Sequence, residues 1–210
     1  MKKIISMILV LCFAFALFSC NKNKDSEIDG IANIVNSSNP TKIVTIVNYN
    51  VGDTALVAEY ITQKDSESGK SQFDYQYQRK AIPGQDELSN ESIKTVSGTV
   101  YCDAEGNLSG SNFDAGSATG YLPYSLSINE SRLSSYEFSE DGKILDAKVA
   151  ASEAVRVFGS EISAEGDISL KITTNGTYLY NVEISYVAKD TGAAVSIRTS
   201  YDYAKISLEF

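Results

Sequence analysis

The residues of this chain that could do chemistry are few, and those that are missing decide more than those present. There is no histidine and no tryptophan, against three cysteines and 13 tyrosines. Without imidazole the chain can build no Ser-His-Asp triad, no Cys-His pair and no imidazole metal site, which removes the commonest hydrolase and zinc chemistries. Cys12 and Cys20 belong to the apolar N-terminal run. Cys102 is then the single thiol of the folded part, with no intrachain disulfide available to it, and it reads as a small half-buried apolar residue. Ser68-Gly69-Lys70-Ser71 has the ending of a phosphate loop, but Lys64 stands where that motif needs glycine and a strand pattern follows, so it reads as a hairpin turn. Asp103-Ala104-Glu105-Gly106-Asn107 has the residue types of a calcium loop, yet Asp114 takes the place of the bidentate glutamate, and it too reads as a turn. Carboxylates such as Glu59 and Asp74 could meet across adjacent strands, but the wet faces of sheets are rich in acids and they are assigned no chemistry. The chain therefore reads as a non-enzyme without catalytic residues, metal site or cofactor.

The tyrosines remain. Tyr75 and Tyr77, Tyr178 and Tyr180, and Tyr201 and Tyr203 are spaced two apart, which puts both rings of each pair on one face of a strand. Such rings either pack a core with their hydroxyls at its rim or give a cavity an amphipathic lining. On the second reading the ligand-contacting residues are Tyr75, Tyr77, Tyr178, Tyr180, Ile184 and Tyr201.

These residues need elements to position them, and the first element is not part of the fold. Met1-Lys2-Lys3 is basic, and Ile4 to Phe18 is apolar apart from Ser6, too short for a comfortable permanent span. The run closes on Leu17-Phe18-Ser19-Cys20, which resembles the lipobox of bacterial lipoproteins. That resemblance implies cleavage before Cys20 and a diacylglycerol on its sulfur, an anchor strengthened by about 0.8 kcal/mol for each buried methylene. Residues 1–19 are then a signal peptide, 20–26 a lipidated tether, and 27–210 a single β-rich domain in the cell envelope. Its membrane is the outer face of the plasma membrane or the outer membrane. Losing Lys2 and Lys3 with the signal takes the formal charge from -9 to -11. So acidic a domain is a poor electrostatic partner for nucleic acid or anionic lipid surfaces.

Beyond the tether, Ser26 can cap a short helix with Ile28, Ile31, Ile34 and Val35 on one face, stopped by Asn36 to Pro40. The period then changes to two. Ile43, Thr45, Val47, Tyr49 and Val51 alternate with polar positions, Gly52-Asp53 turns the chain, and Leu56, Ala58, Tyr60 and Thr62 return it. Phe73, Tyr75 and Tyr77 mark a third strand. Residues 81–92 read as a loop, 93–102 and 107–113 as a second hairpin, and 115–124 as a long surface loop. Weaker strand patterns cover 125–128, 133–138 and 143–149. Ala150 to Phe158 with Gly159 reads as a short helix. The end of the chain is a three-stranded meander: Ile168, Leu170 and Ile172; Tyr178, Tyr180, Val182, Ile184 and Tyr186; Val195, Ile197, Thr199, Tyr201 and Tyr203.

The sum is a mainly β, α+β domain of about nine to eleven strands with two short helices. A lipobox, a short helix, long antiparallel strands from Pro40-Thr41-Lys42, a strand-helix unit at 147–159 and a terminal meander together resemble half-barrel lipoproteins. These are related to the lipoprotein carrier of the Gram-negative periplasm and to mycobacterial glycolipid-binding lipoproteins. The resemblance implies a curved antiparallel sheet around an apolar concavity that accepts a lipid, an acylated molecule or a lipoprotein, with the helices near 27–36 and 150–158 as a lid. It implies a monomer bound to its membrane through the N-terminal lipid. The competing reading of the same strands is a β-sandwich, a surface structural or adhesion module with no cavity.

Overall fold

The structure, a computed structural model, describes residues 24–80, 93–110 and 126–210. Cys20, the loops expected at 81–92 and 115–124, and residues 111–113 and 125 lie outside them.

Helix α1 (Lys24–Ser37) begins two residues before Ser26, which therefore lies inside its first turn instead of capping it. Glu27, also in the first turn, complements the positive end of the helix dipole. Ile28 and Ile31 are 2% and 3% exposed, with Ile34 and Val35 partly buried on the same face. The helix ends where Ser38 donates both its N–H and its hydroxyl to the Ile34 carbonyl, at 3.1 and 2.7 Å. Pro40 bars any continuation.

Ten strands are described: β1 (Lys42–Val51), β2 (Thr54–Lys64), β3 (Ser71–Lys80), β4 (Ile93–Cys102), β5 (Leu108–Gly110), β6 (Ser135–Phe138), β7 (Ile144–Val149), β8 (Ile168–Thr174), β9 (Leu179–Val187) and β10 (Ala194–Asp202). All pair antiparallel in one sheet, in the order β5-β4-β3-β2-β1-β10-β9-β8-β7-β6. Two meanders are thus joined where the first strand meets the last. The sheet is an open, curved half-barrel with β5 and β6 at its edges, and the two stacked sheets of a sandwich do not occur among the described residues.

Period-two alternation gives the sheet one apolar face. A single cross-strand row on it runs Gly98, Tyr75, Tyr60, Thr45, Thr199, Val182, Ile172, Leu145 and Phe138. Its buried cluster also takes in Ile28 and Ile31 of α1 and Val157 and Phe158 of α2 (Ala154–Phe158), so both helices contribute to one core. A 3-10 turn, Ala151–Glu153, leads into α2, and Gly159 closes it at φ 70°, the left-handed conformation that glycine adopts without a Cβ clash.

Two weak strand patterns are corrected. Leu126 to Ile128 form no strand, because the Ser127 N–H is taken by the Val157 carbonyl of α2 at 2.8 Å. The next strand starts at Ser135, not Leu133, because Asn129 accepts the Ser131 N–H at 2.9 Å and caps a 3-10 turn over Glu130–Arg132.

A third correction bears on the candidate residues. Thr173 pairs with Asn181 but Thr174 with Leu179, so β9 carries one extra residue, Tyr180, in a β-bulge. Strict alternation from Tyr178 therefore fails. Leu179 is the residue that enters the core, at 3% exposed, while Tyr178 and Tyr180 stand 47% and 49% exposed.

Candidate functional site

On the apolar face the sequence-derived residues separate into three groups. Tyr75 and Tyr77 lie on β3 in a ladder of rings. Tyr60 stacks on Phe73 at 6.1 Å and 6°, Phe73 on Tyr75 at 6.1 Å and 27°, and Tyr75 on Tyr77 at 6.3 Å and 27°. Gly98 sits opposite Tyr75 on β4 and offers no side chain beside that ring. Ile184 is buried in the centre of the sheet, and Tyr201 is partly buried on β10. Burial, helped by the neighbouring Tyr203 phenol, pushes the Tyr201 hydroxyl up to about 12. Tyr178 and Tyr180 do not line this face. Tyr178 instead packs on Tyr203 with ring centroids 4.7 Å apart, and the Tyr203 hydroxyl donates to the Leu179 carbonyl at 2.9 Å.

The apolar face is not sealed evenly. On β7 and β8, Leu145, Val149, Ile168 and Ile172 are 0% exposed, as are Val157 and Phe158 of α2. Toward β3 and β4, Phe73, Tyr77, Val96 and Val100 are only partly buried, around Tyr75, which is 6% exposed.

Sequence reasoning missed a polar pair in the middle of this face. Thr45 of β1 and Thr199 of β10 are buried at 1% and 5% exposed, with their hydroxyl oxygens 3.2 Å apart. Each satisfies the other where no water reaches. The available signal was a threonine at an apolar-phase position in each of two strands, which alternation had already placed inward.

The motifs set aside as turns are turns held by carboxylates. Asp65, only 6% exposed, accepts the backbone N–H of Glu67 at 2.9 Å, of Ser68 at 3.1 Å and of Leu208 at 3.3 Å. The Ser68 hydroxyl, then these N–H groups, hold its pKa down to about 2. The segment 203–210 is thereby fastened over the β2–β3 turn. Lys205 pairs with Glu67 at 2.7 Å, Lys70 donates to the Phe210 oxygen at 2.6 Å, and the Phe210 ring lies 4.7 Å from that of Tyr101. Asp103 accepts from the Asn107 side chain and backbone, both at 2.8 Å, and from the Glu105 N–H at 3.0 Å, which lowers its pKa. Glu59 and Asp74 share the lining of a groove of about 340 Å³ on the polar face. Asp74 is engaged there by the Thr99 hydroxyl at 2.6 Å and the Gln72 amide at 2.8 Å. Among the described residues no three Cys, Asp or Glu side chains are grouped to hold a metal ion.

The polar face carries larger concavities. A groove of about 560 Å³ lies over β6–β9, and one of about 400 Å³ beside it shares Ser169 and Ser185. Neither was foreseen, because single-strand alternation shows which residues face water but not how the sheet bends beneath them.

Fold and site together define an open antiparallel half-barrel with helices packed into its apolar face. No family model matches the chain, and no curated protein resembles it in sequence. Among solved structures it is similar to a DUF1329 family protein from Desulfovibrio piger, with TM-score 0.30 and 8% identity over 88% of this chain and 94% of that one. A porin-like protein from Bacteroides uniformis aligns with TM-score 0.18 and 11% identity, over 79% of this chain and 57% of that one. The dehydratase domain of the CurK module of curacin polyketide synthase aligns with TM-score 0.19 and 8% identity, over 83% and 80%. Likenesses this slight transfer no function.

Proposed function

We propose that this chain is an extracytoplasmic lipoprotein, held at a membrane surface by a lipid on Cys20, whose half-barrel binds an apolar ligand without catalysis. The ligand is a lipid or acylated molecule, and its place is the aromatic half of the apolar face, over Phe73, Tyr77, Val96 and Val100, with the more deeply buried Tyr75 beneath. The observation that carries this reading is the uneven burial of the apolar core: six residues of β7, β8 and α2 are 0% exposed, whereas Phe73, Tyr77, Val96 and Val100 are partly buried. An acyl chain laid on stacked rings gains about 25 cal/mol for each Å² of apolar surface it removes from water, and the tyrosine hydroxyls can turn to its polar end.

The test is native mass spectrometry on the full chain purified from cells in mild detergent, before and after delipidation. An acyl-lipid adduct that delipidation strips and lipid restores, and that Tyr77→Asp abolishes, is the expected result. A chain free of adduct in every preparation and unable to take up added lipid would overturn the reading.

A further inference from the structure

We propose that the polar face of β6–β9 is a separate binding site, for a short oligosaccharide. Its floor is a cross-strand row of Ser135, Ser169, Ser185 and Ser196 on β6, β8, β9 and β10, interrupted on β7 by Lys148, whose ammonium group reaches the Ser169 hydroxyl. From β6 to β10 that is about 19 Å at the spacing of neighbouring strands. The next row forms a taller wall: Glu137, Asp146, Lys171, Glu183 and Arg198, in cross-strand register. Short side chains beside long ones make a trough that crosses the strands, and the two adjoining grooves of about 560 and 400 Å³ are that trough. The bulge in β9 adds local twist next to it.

The lining selects the ligand. Hydroxyls that donate and accept, carboxylates that accept and ammonium groups that donate alternate along the trough, with Lys148 on the Ser169 hydroxyl at 2.7 Å and Lys171 beside Asp146 at 3.6 Å. A matching ligand must present donors and acceptors at short intervals along a line, which a chain of pyranoses does. A peptide added to a sheet pairs along an edge strand such as β6, whereas the trough runs across the strands, a direction no backbone ladder follows. Three carboxylates against two lysines line the larger groove, which favours neutral or amino sugars over uronic acids.

The bulge supplies the second observation. It turns Tyr180 out of the core onto the surface, two residues after Tyr178, whose ring packs on Tyr203, and both rings stand about half exposed. Tyr180 precedes Glu183 of the trough wall by three residues on the same strand, about 10 Å, within reach of one bound oligosaccharide. Exposed rings of this kind stack on the C–H faces of sugars. The apolar face plays no part in this site.

The experiment is an NMR titration of the isotope-labelled full chain in a sugar-free detergent. The probes are tetramers of N-acetylglucosamine, glucosamine, glucose and galacturonic acid. A neutral or amino-sugar tetramer is expected to saturate and to shift the amides of Lys171, Ser185 and Tyr180, with galacturonate at least tenfold weaker. Ser185→Val and Tyr180→Ala, both at exposed positions, should each weaken binding about tenfold and leave the melting temperature unchanged. Absence of shifts with every probe at about 10 mM, weaker than any affinity a specific site needs, would overturn the proposal. So would shifts confined to the apolar face, or binding indifferent to both substitutions.

Discussion

Truncating residues on the two halves of the apolar face should cost very different amounts. Ile31 of α1 is 3% exposed, and Ile31→Ala removes three buried carbons. At about 0.8 kcal/mol each this is roughly 2.4 kcal/mol, and the cavity left behind raises it to about 3 kcal/mol. Phe158, at 0% exposed in the short second helix, should cost about 3–5 kcal/mol as Phe158→Ala. Val96 on β4 is partly buried and loses two carbons that water already reaches in part, so Val96→Ala should cost about 0.8 kcal/mol. Urea unfolding of the delipidated full chain, followed by far-ultraviolet circular dichroism, reads all three. In heating scans each kcal/mol should move the midpoint by about 2–4 °C for a domain of this size. If Ile31→Ala cost less than about 1 kcal/mol, α1 would not be packed in the core. Were Val96→Ala as costly as Ile31→Ala, the uneven burial on which the ligand site rests would be wrong.

The threonine pair should behave non-additively: Thr45→Val or Thr199→Val alone strands one buried hydroxyl and costs about 1–3 kcal/mol, whereas the double substitution, measured in the same urea series, should be nearly neutral. Asp65, with its folded pKa held down to about 2, stabilises the fold above the ordinary carboxylate range, near pH 4, and that contribution fades as pH falls toward 2. Asp65→Asn should therefore flatten the acid limb of the stability profile and speed amide exchange at Leu208; an unchanged limb would contradict the fastening described. Tyr201, raised to about 12, stabilises below pH 10 and loses that contribution as pH climbs from about 10 through 12. Phenolate absorbance should show one late-ionising tyrosine that Tyr201→Phe abolishes.

What the sequence made legible was the alternation of its strands. Ile43 to Val51 and Leu56 to Thr62 formed the hairpin their spacing called for, and Gly159 closed the late helix where a left-handed residue was needed. The legible part ended where a non-local partner overruled local pattern. Leu126 to Ile128 look extended, but an N–H claimed by α2 keeps them out of the sheet. Tyr178 and Tyr180 look inward, but one extra residue in β9 reverses the phase and seats Leu179 in their place. Of the six candidate ligand residues, Tyr75, Tyr77, Ile184 and Tyr201 share the apolar face and Tyr178 and Tyr180 do not. The polar trough was illegible for a different reason: it depends on register between strands as distant in sequence as Glu137 and Arg198, and no one strand contains it.

The join between β1 and β10 has a kinetic meaning. Every other pairing links strands that follow one another in the chain, so each meander can zip from its own hairpins, on the microsecond scale for a hairpin. Thr45 and Thr199, which meet at the join, are 154 positions apart. Closing so long a loop carries the largest entropic cost in the sheet, and non-local pairings of this kind form late. Until then each half exposes the edge of a central strand, the backbone row most prone to pair with a neighbouring molecule. Misassembly of this protein should therefore take the form of exchanged halves, with β1 of one copy docked on β10 of another.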